Sequence, residues 1–191
     1  MVQSSSRLVK LVLISLLSSI AFIMQYLDFP LPPFPPYLKV DFSDVPALFA
    51  GFMFGPWIGV LVEFLKNTLH FLFSGSETGI PIGNISNFIA GSVFVVSVVL
   101  TARRMNGIKG VVAGFVVGTL VMAALLAVMN YYVLFPAYAY LLNMPFEADK
   151  LVGIVLYGIT PFNVIKGLLI ALVFVPIYMR LQPRLQRRIM G

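Results

Sequence analysis

The segment 45–73 reads VPALFAGFMFGPWIGVLVEFLKNTLHFLF, 29 residues with Phe54-Gly55-Pro56-Trp57 at its middle. A transmembrane helix needs about 20 mostly apolar residues, so the segment is too long for one span and short for two. Glycine commonly ends a helix and proline suits the first position of the next. The Gly55-Pro56 step therefore predicts a break, with one helix over 45–55 and a second over 57–73.

The rest of the chain says what solvent these helices meet. Of 191 residues, 60% are hydrophobic and 10% charged, against about 45–50% and about 25% in soluble domains. Mean hydropathy is +0.98. So few charges cannot cover so much apolar surface in water, and the chain reads as an integral membrane protein. Further apolar segments run over about 8–27, 85–102, 110–137 and 151–179. The first has too long an apolar run for a signal peptide and no small-x-small cleavage site after it, so it is expected to remain as a helix. The expectation is an all-α, single six-helix membrane domain over 1–191.

Charge supports the even count. Arg7, Lys10, Arg103, Arg104, Lys109, Arg180, Arg184, Arg187 and Arg188 cluster at the N-terminus, one turn and the tail, without an acidic residue among them. The other loops and span ends hold Asp28, Asp41, Asp44, Glu77, Glu147 and Asp149, with Lys39 and Lys150 as the cations. Basic residues favour cytoplasmic loops, which puts both termini and the 103–109 turn inside. Crossings between Lys10 and Arg103 must then be even, as the break at Gly55 requires. The net charge of +6 is a topology signal, and no nucleic-acid partner is implied. Cysteine is absent and His70 is the single histidine, which removes thiolate chemistry and most metal sites. No phosphate loop, dinucleotide turn or catalytic triad is present. Neither enzyme activity nor a cofactor is expected.

Polar residues inside the spans point to binding. Glu63, Lys66, Asn67 and His70 share one helix face. Intramembrane ionisable groups turn inward and find partners, so this stripe is either a structural cluster, with Glu63 paired to Lys66, or a support for a cavity. Asn130 on the fifth helix and Asn163 with Lys166 on the sixth fall at similar depth near the outer surface. Two amides and an ammonium there suit a polyol or heterocycle edge, interhelix hydrogen bonding being the bland alternative. Asn84 and Asn87, in Gly83-Asn84-Ile85-Ser86-Asn87, are expected to cap the fourth helix from the same side and to add substrate-binding donors there. The first outer loop, 28–44, carries five prolines among aromatics in Phe29-Pro30-Leu31-Pro32-Pro33-Phe34-Pro35-Pro36-Tyr37. It is a stiff strip that reads as a spacer or as a cover over a cavity. Ser43 or Asp44 is expected to cap the second helix. Gly51/Gly55/Gly59 and Gly110/Gly114/Gly118 are small-residue packing faces, and Ser15/Ser19 is a weaker one.

The run Lys39-Val40-Asp41-Phe42-Ser43-Asp44-Val45-Pro46, continuing through Phe54-Gly55-Pro56 to Leu65-Lys66-Asn67, resembles the substrate-binding (S) components of energy-coupling factor (ECF) vitamin transporters. The Asp-Phe-Ser-Asp-Val-Pro and Phe-Gly-Pro elements resemble those of members for several vitamins. Pro161-Phe162-Asn163-Val164-Ile165-Lys166-Gly167, with Asn130, is most similar to the riboflavin-specific members. The resemblance spans nearly the whole chain. It implies a cell-membrane protein that captures riboflavin from outside and works with the transmembrane coupling protein EcfT and two ABC-type ATPases, the EcfA subunits. It further implies that Asn130, Asn163 and Lys166 hydrogen-bond the vitamin while Leu38, Lys39, Val40 and Asp41 close over it. Family members often dock through Ala-x-x-x-Ala on helix one, where this chain carries Ser15-x-x-x-Ser19. Pyridoxine or pantothenate as the vitamin, an ion-coupled secondary transporter using Glu63, and a scaffold without a ligand are the alternatives.

Overall fold

The computed structural model describes residues 2–76, 78–105, 107–143 and 148–189. Glu77 and Glu147 lie outside the described residues, as do the side chains of Asp149, Arg184, Arg187 and Arg188. Helix α1 spans Val2–Gln25, α2 Asp44–Phe54, α3 Pro56–Ser74 and α4 Ile82–Arg104. Helix α5, Gly107–Met129, runs through a π-helical turn, Asn130–Leu134, into α6, Phe135–Leu141. Helix α7, Ala148–Ile154, likewise passes through a π turn, Val155–Ile159, into α8, Thr160–Ile189. The chain is thus a bundle of six helical rods, an all-α membrane protein. Among the described residues, four stretches are long and apolar enough to cross a bilayer: Arg7–Gln25, Ile82–Arg104, Gly107–Leu141 and Lys150–Leu181.

Helices α2 and α3 form a hairpin on the Gly55 hinge. Gly55 has φ 111°, closes α2 by donating its N–H to the Gly51 carbonyl, and hands over to Pro56 at the start of α3. A side chain is disfavoured at that φ. With 11 residues, α2 is about 16 Å long at 1.5 Å per residue, half the hydrocarbon thickness.

Small residues bring the helices together. A Cβ on Gly114 or Gly110 would strike the backbone of α4 or its C-terminal turn, at Val98 and Met105. One on Gly59 would lie 2.9 Å from the Ala47 carbonyl oxygen. On α1 the buried positions Ile14, Ser18, Ala21 and Gln25 form one stripe, while Leu8, Val12, Leu16 and Ile23 face outward. Toward the end carrying the termini the interior is solid. Phe49, Phe52, Phe115 and Tyr178 surround Phe174, which is completely buried, at centroid distances of 4.6–5.7 Å. Lys10 also lies at this end, over the Phe54 ring. The opposite end is hollow.

Candidate ligand-binding site

The first loop is pinned at its base. Phe29 pairs with Val40 and Pro30 with Lys39 in a two-residue antiparallel ladder, and Lys39 Nζ sits 3.1 Å from Asp28. Further out, Phe34 meets Phe162 of α8 edge-on at 5.6 Å. Leu38 packs on the Leu151, Val155 and Ile159 patch around the second π turn. Partial burial raises the Tyr37 phenol above its ordinary value.

Beneath this loop lies a chamber of about 230 Å³. Its walls carry Asn87, Asn130, Asn163 and Lys166, with Met122, Leu126, Ile159 and Phe162 supplying apolar surface and Tyr37, Leu38 and Lys39 closing the top. A second chamber, about 450 Å³, lies between the ends of α1, α3 and α4. Gln25, Asp41, His70 and Asn84 line it. Tyr37, Lys39, Gly83, Asn87 and Tyr138 border both chambers, so the two are neighbouring parts of one hollow.

Asn130 and Asn163 sit at π turns. Asn130 opens the first and turns its Nδ2 back to the Leu126 carbonyl at 2.8 Å. Asn163 follows the second and donates to the Ile159 carbonyl at 2.8 Å. Each amide is thereby fixed in orientation, leaving Oδ1 and one N–H for other partners. Wider π turns often mark functional sites.

Charge is organised in a buried chain. Lys66 Nζ lies 2.5 Å from Asp44 Oδ1 and 2.9 Å from Glu63 Oε2, and also donates to Ser43 Oγ at 2.6 Å. Lys166 Nζ is 3.3 Å from Asp41 Oδ2 and 3.6 Å from Asp44 Oδ2. Asp41 Oδ1 accepts from the Ser43 N–H at 2.8 Å and also from the Ser43 hydroxyl. Loop, α2, α3 and α8 are therefore joined through five ionisable side chains. Glu63 and Lys66 line neither chamber and stand behind its wall.

The remaining expected site residues divide. His70 Nδ1 is 3.0 Å from Asn84 Oδ1 on the rim of the second chamber. Asn67 accepts from Gln25 and donates to the Glu63 carbonyl. Val40 is completely buried in the ladder at the base of the first loop and lines neither chamber. Ser15 and Ser19 are exposed on α1, where the Ser19 hydroxyl donates to the Ser15 carbonyl. Two capping expectations are corrected. Ser43 precedes α2 without a side-chain cap, because Asp41 and Lys66 engage it, and Asp44 turns to the lysines. Helix α4 starts at Ile82 behind Pro81, so Asn84 and Asn87 lie inside the helix. Sequence reading missed Gln25, Met122 and Tyr138, which have no local polar pattern to flag them.

Residues 9–178 match the family model described as ECF transporter, substrate-specific component. The chain belongs to that family. As an S component it is 42% identical to the riboflavin transporter FmnP of Bacillus subtilis, over 94% of this chain and 95% of that one. It is also 42% identical to the riboflavin transporter RibU of Staphylococcus aureus, over 93% of each. A solved S component of a bacterial ECF transporter superposes with a TM-score of 0.80 at 39% identity, covering 94% of this chain and 98% of that chain. The chain is a transport protein of the cell membrane and not an enzyme. Its fold is that of an S component, and the chemistry of the chamber walls bears on the choice of vitamin.

Proposed function

We propose that this S component binds riboflavin in the chamber beneath the first loop and delivers it to an ATP-driven ECF transporter. The observation that carries this reading is the convergence of Asn130, Asn163 and Lys166 on one chamber, where Met122, Leu126, Ile159 and Phe162 supply apolar surface beside them. Riboflavin is a flat ring with an edge of alternating donors and acceptors and a neutral polyol tail. A pocket that sets apolar surface beside placed polar groups matches it. Oriented amides serve the ring edge or the hydroxyls, and Leu38, Phe162 and Met122 pack on the ring. The names of the relatives at 42% identity support the same vitamin. Among the described residues no Arg lines either chamber, and the lysines that do, Lys39 and Lys166, are engaged by aspartates, which disfavours pantothenate and its carboxylate. Glu63 stands behind the wall, which disfavours an ion-coupled carrier built on it.

In this reading both termini lie inside the cell, the cavity opens outward and the 28–44 loop closes over bound vitamin. Energy comes from EcfT and the EcfA ATPases, with the exposed face around Ser15 and Ser19 as the candidate contact.

The test is purification in detergent followed by visible absorption and a riboflavin titration. A yellow preparation that releases riboflavin, or one that quenches added riboflavin's fluorescence stoichiometrically, is expected. A colourless protein that quenches none overturns the assignment of the vitamin.

A further inference from the structure

We propose that Asp41 is a specificity-determining residue, which makes the cavity reject anionic flavins, the phosphate monoester of riboflavin above all. This inference rests on the riboflavin reading and deepens it.

Among the described residues, the ammonium groups lining either chamber belong to Lys39 and Lys166. Neither is free for a ligand anion. Lys39 lies 3.1 Å from Asp28, and Lys166 lies between Asp41 at 3.3 Å and Asp44 at 3.6 Å. Lys66, behind the wall, is held by Asp44 and Glu63. Three ammonium groups thus face four carboxyl groups, and two of those, Asp28 and Asp41, border the hollow.

A phosphate is bound by unpaired cations or by converging charged donors. Here a dianion near either lysine meets that lysine's carboxylate partner as well. Displacing the partner leaves a carboxylate in a poorly hydrated wall, which is unfavourable. The N-terminus of α4 at Ile82 favours an anion, but its dipole is worth about half a charge against whole carboxylates. A neutral polyol meets no such repulsion and can accept or donate hydrogen bonds among the same groups.

Asp41 is the lever because its two oxygens do different things. Oδ1 holds the Ser43 N–H and hydroxyl, shaping the loop base, while Oδ2 neutralises Lys166. Asp41→Asn keeps the Oδ1 acceptor and removes the charge. Asp28→Asn frees Lys39, but that pair is well exposed, so solvent already screens it.

Fluorescence-quenching titrations of the full chain in detergent with riboflavin and with flavin mononucleotide test this. The wild type is expected to bind the phosphate ester at least about tenfold more weakly. Asp41→Asn should narrow that ratio by about tenfold, which is about 1.4 kcal/mol, and Asp28→Asn should narrow it less. Equal wild-type affinities overturn the proposal even if Asp41→Asn does not fold. So does an unchanged ratio in Asp41→Asn protein that still binds riboflavin. A wild type that binds neither flavin instead overturns the riboflavin reading beneath it.

Discussion

Lys66 Nζ lies 2.5 Å from Asp44 Oδ1 across the α2–α3 hairpin, with both side chains shut off from solvent. Glu63 at 2.9 Å and the Ser43 hydroxyl complete the shell around the ammonium. Removing one member of a buried pair leaves an uncompensated charge, typically at about 3–5 kcal/mol. Lys66→Met should therefore unfold far below wild type in detergent thermal scans. Lys39→Met breaks only the exposed pair with Asp28 and should stay within about 1 kcal/mol. Equal losses in the two variants would contradict the buried chain.

Asn163 presents its amide to the chamber from a fixed rotamer. Asn163→Ala is predicted to weaken riboflavin binding tenfold or more, about 1.4 kcal/mol or above, while folding persists. Lys166→Ala should weaken binding at least as much. It should also lower stability, because Asp41 and Asp44 lose their partner. Titration by quenching beside a melting curve separates the two effects, and near-wild-type affinity in both variants would remove them from the site.

The Phe34–Phe162 edge contact joins the loop to α8. Such aromatic pairs are worth about 0.5–1.5 kcal/mol beyond area burial. If the loop covers the bound vitamin, Phe34→Ala should speed riboflavin release by a factor of about two to ten in stopped-flow chases. An unchanged release rate would mean that the loop does not gate the chamber.

Glycines of equal standing in the sequence should respond differently. A methyl on Gly59 meets the Ala47 carbonyl oxygen and Val95, whereas nothing lies within 4 Å of one on Gly153. Gly59→Ala should cost about 1–3 kcal/mol through overpacking. Gly153→Ala should be neutral or stabilising by up to about 1 kcal/mol, because the unfolded chain loses freedom. Thermal unfolding of both variants in one detergent checks the contrast.

Much of this protein is written locally. The apolar runs, the Gly55-Pro56 step and the scarcity of charge are short-range signals, and lipid leaves helices as almost the only way to satisfy the backbone. Six rods, the hairpin and the intramembrane polar residues follow from that alone. The Glu63–Lys66 pair was legible too, because three residues along a helix are neighbours by construction.

What the sequence could not say is which distant groups meet. Asp41 and Lys166 are 125 positions apart, and Asp44 looks like an ordinary helix cap until packing brings two lysines to it. The π turns at Asn130 and Val155 carry no local signature, since they arise where a helix yields one residue to fit its neighbours. Gln25, Met122 and Tyr138 join the cavity only because α1, α5 and α6 end around it. Periodicity and solvent thus determined the helices and the bilayer, being properties of neighbouring residues. The ion chain and the shape of the hollow were decided by tertiary structure, because burial selects partners by geometry and leaves no trace in spacing.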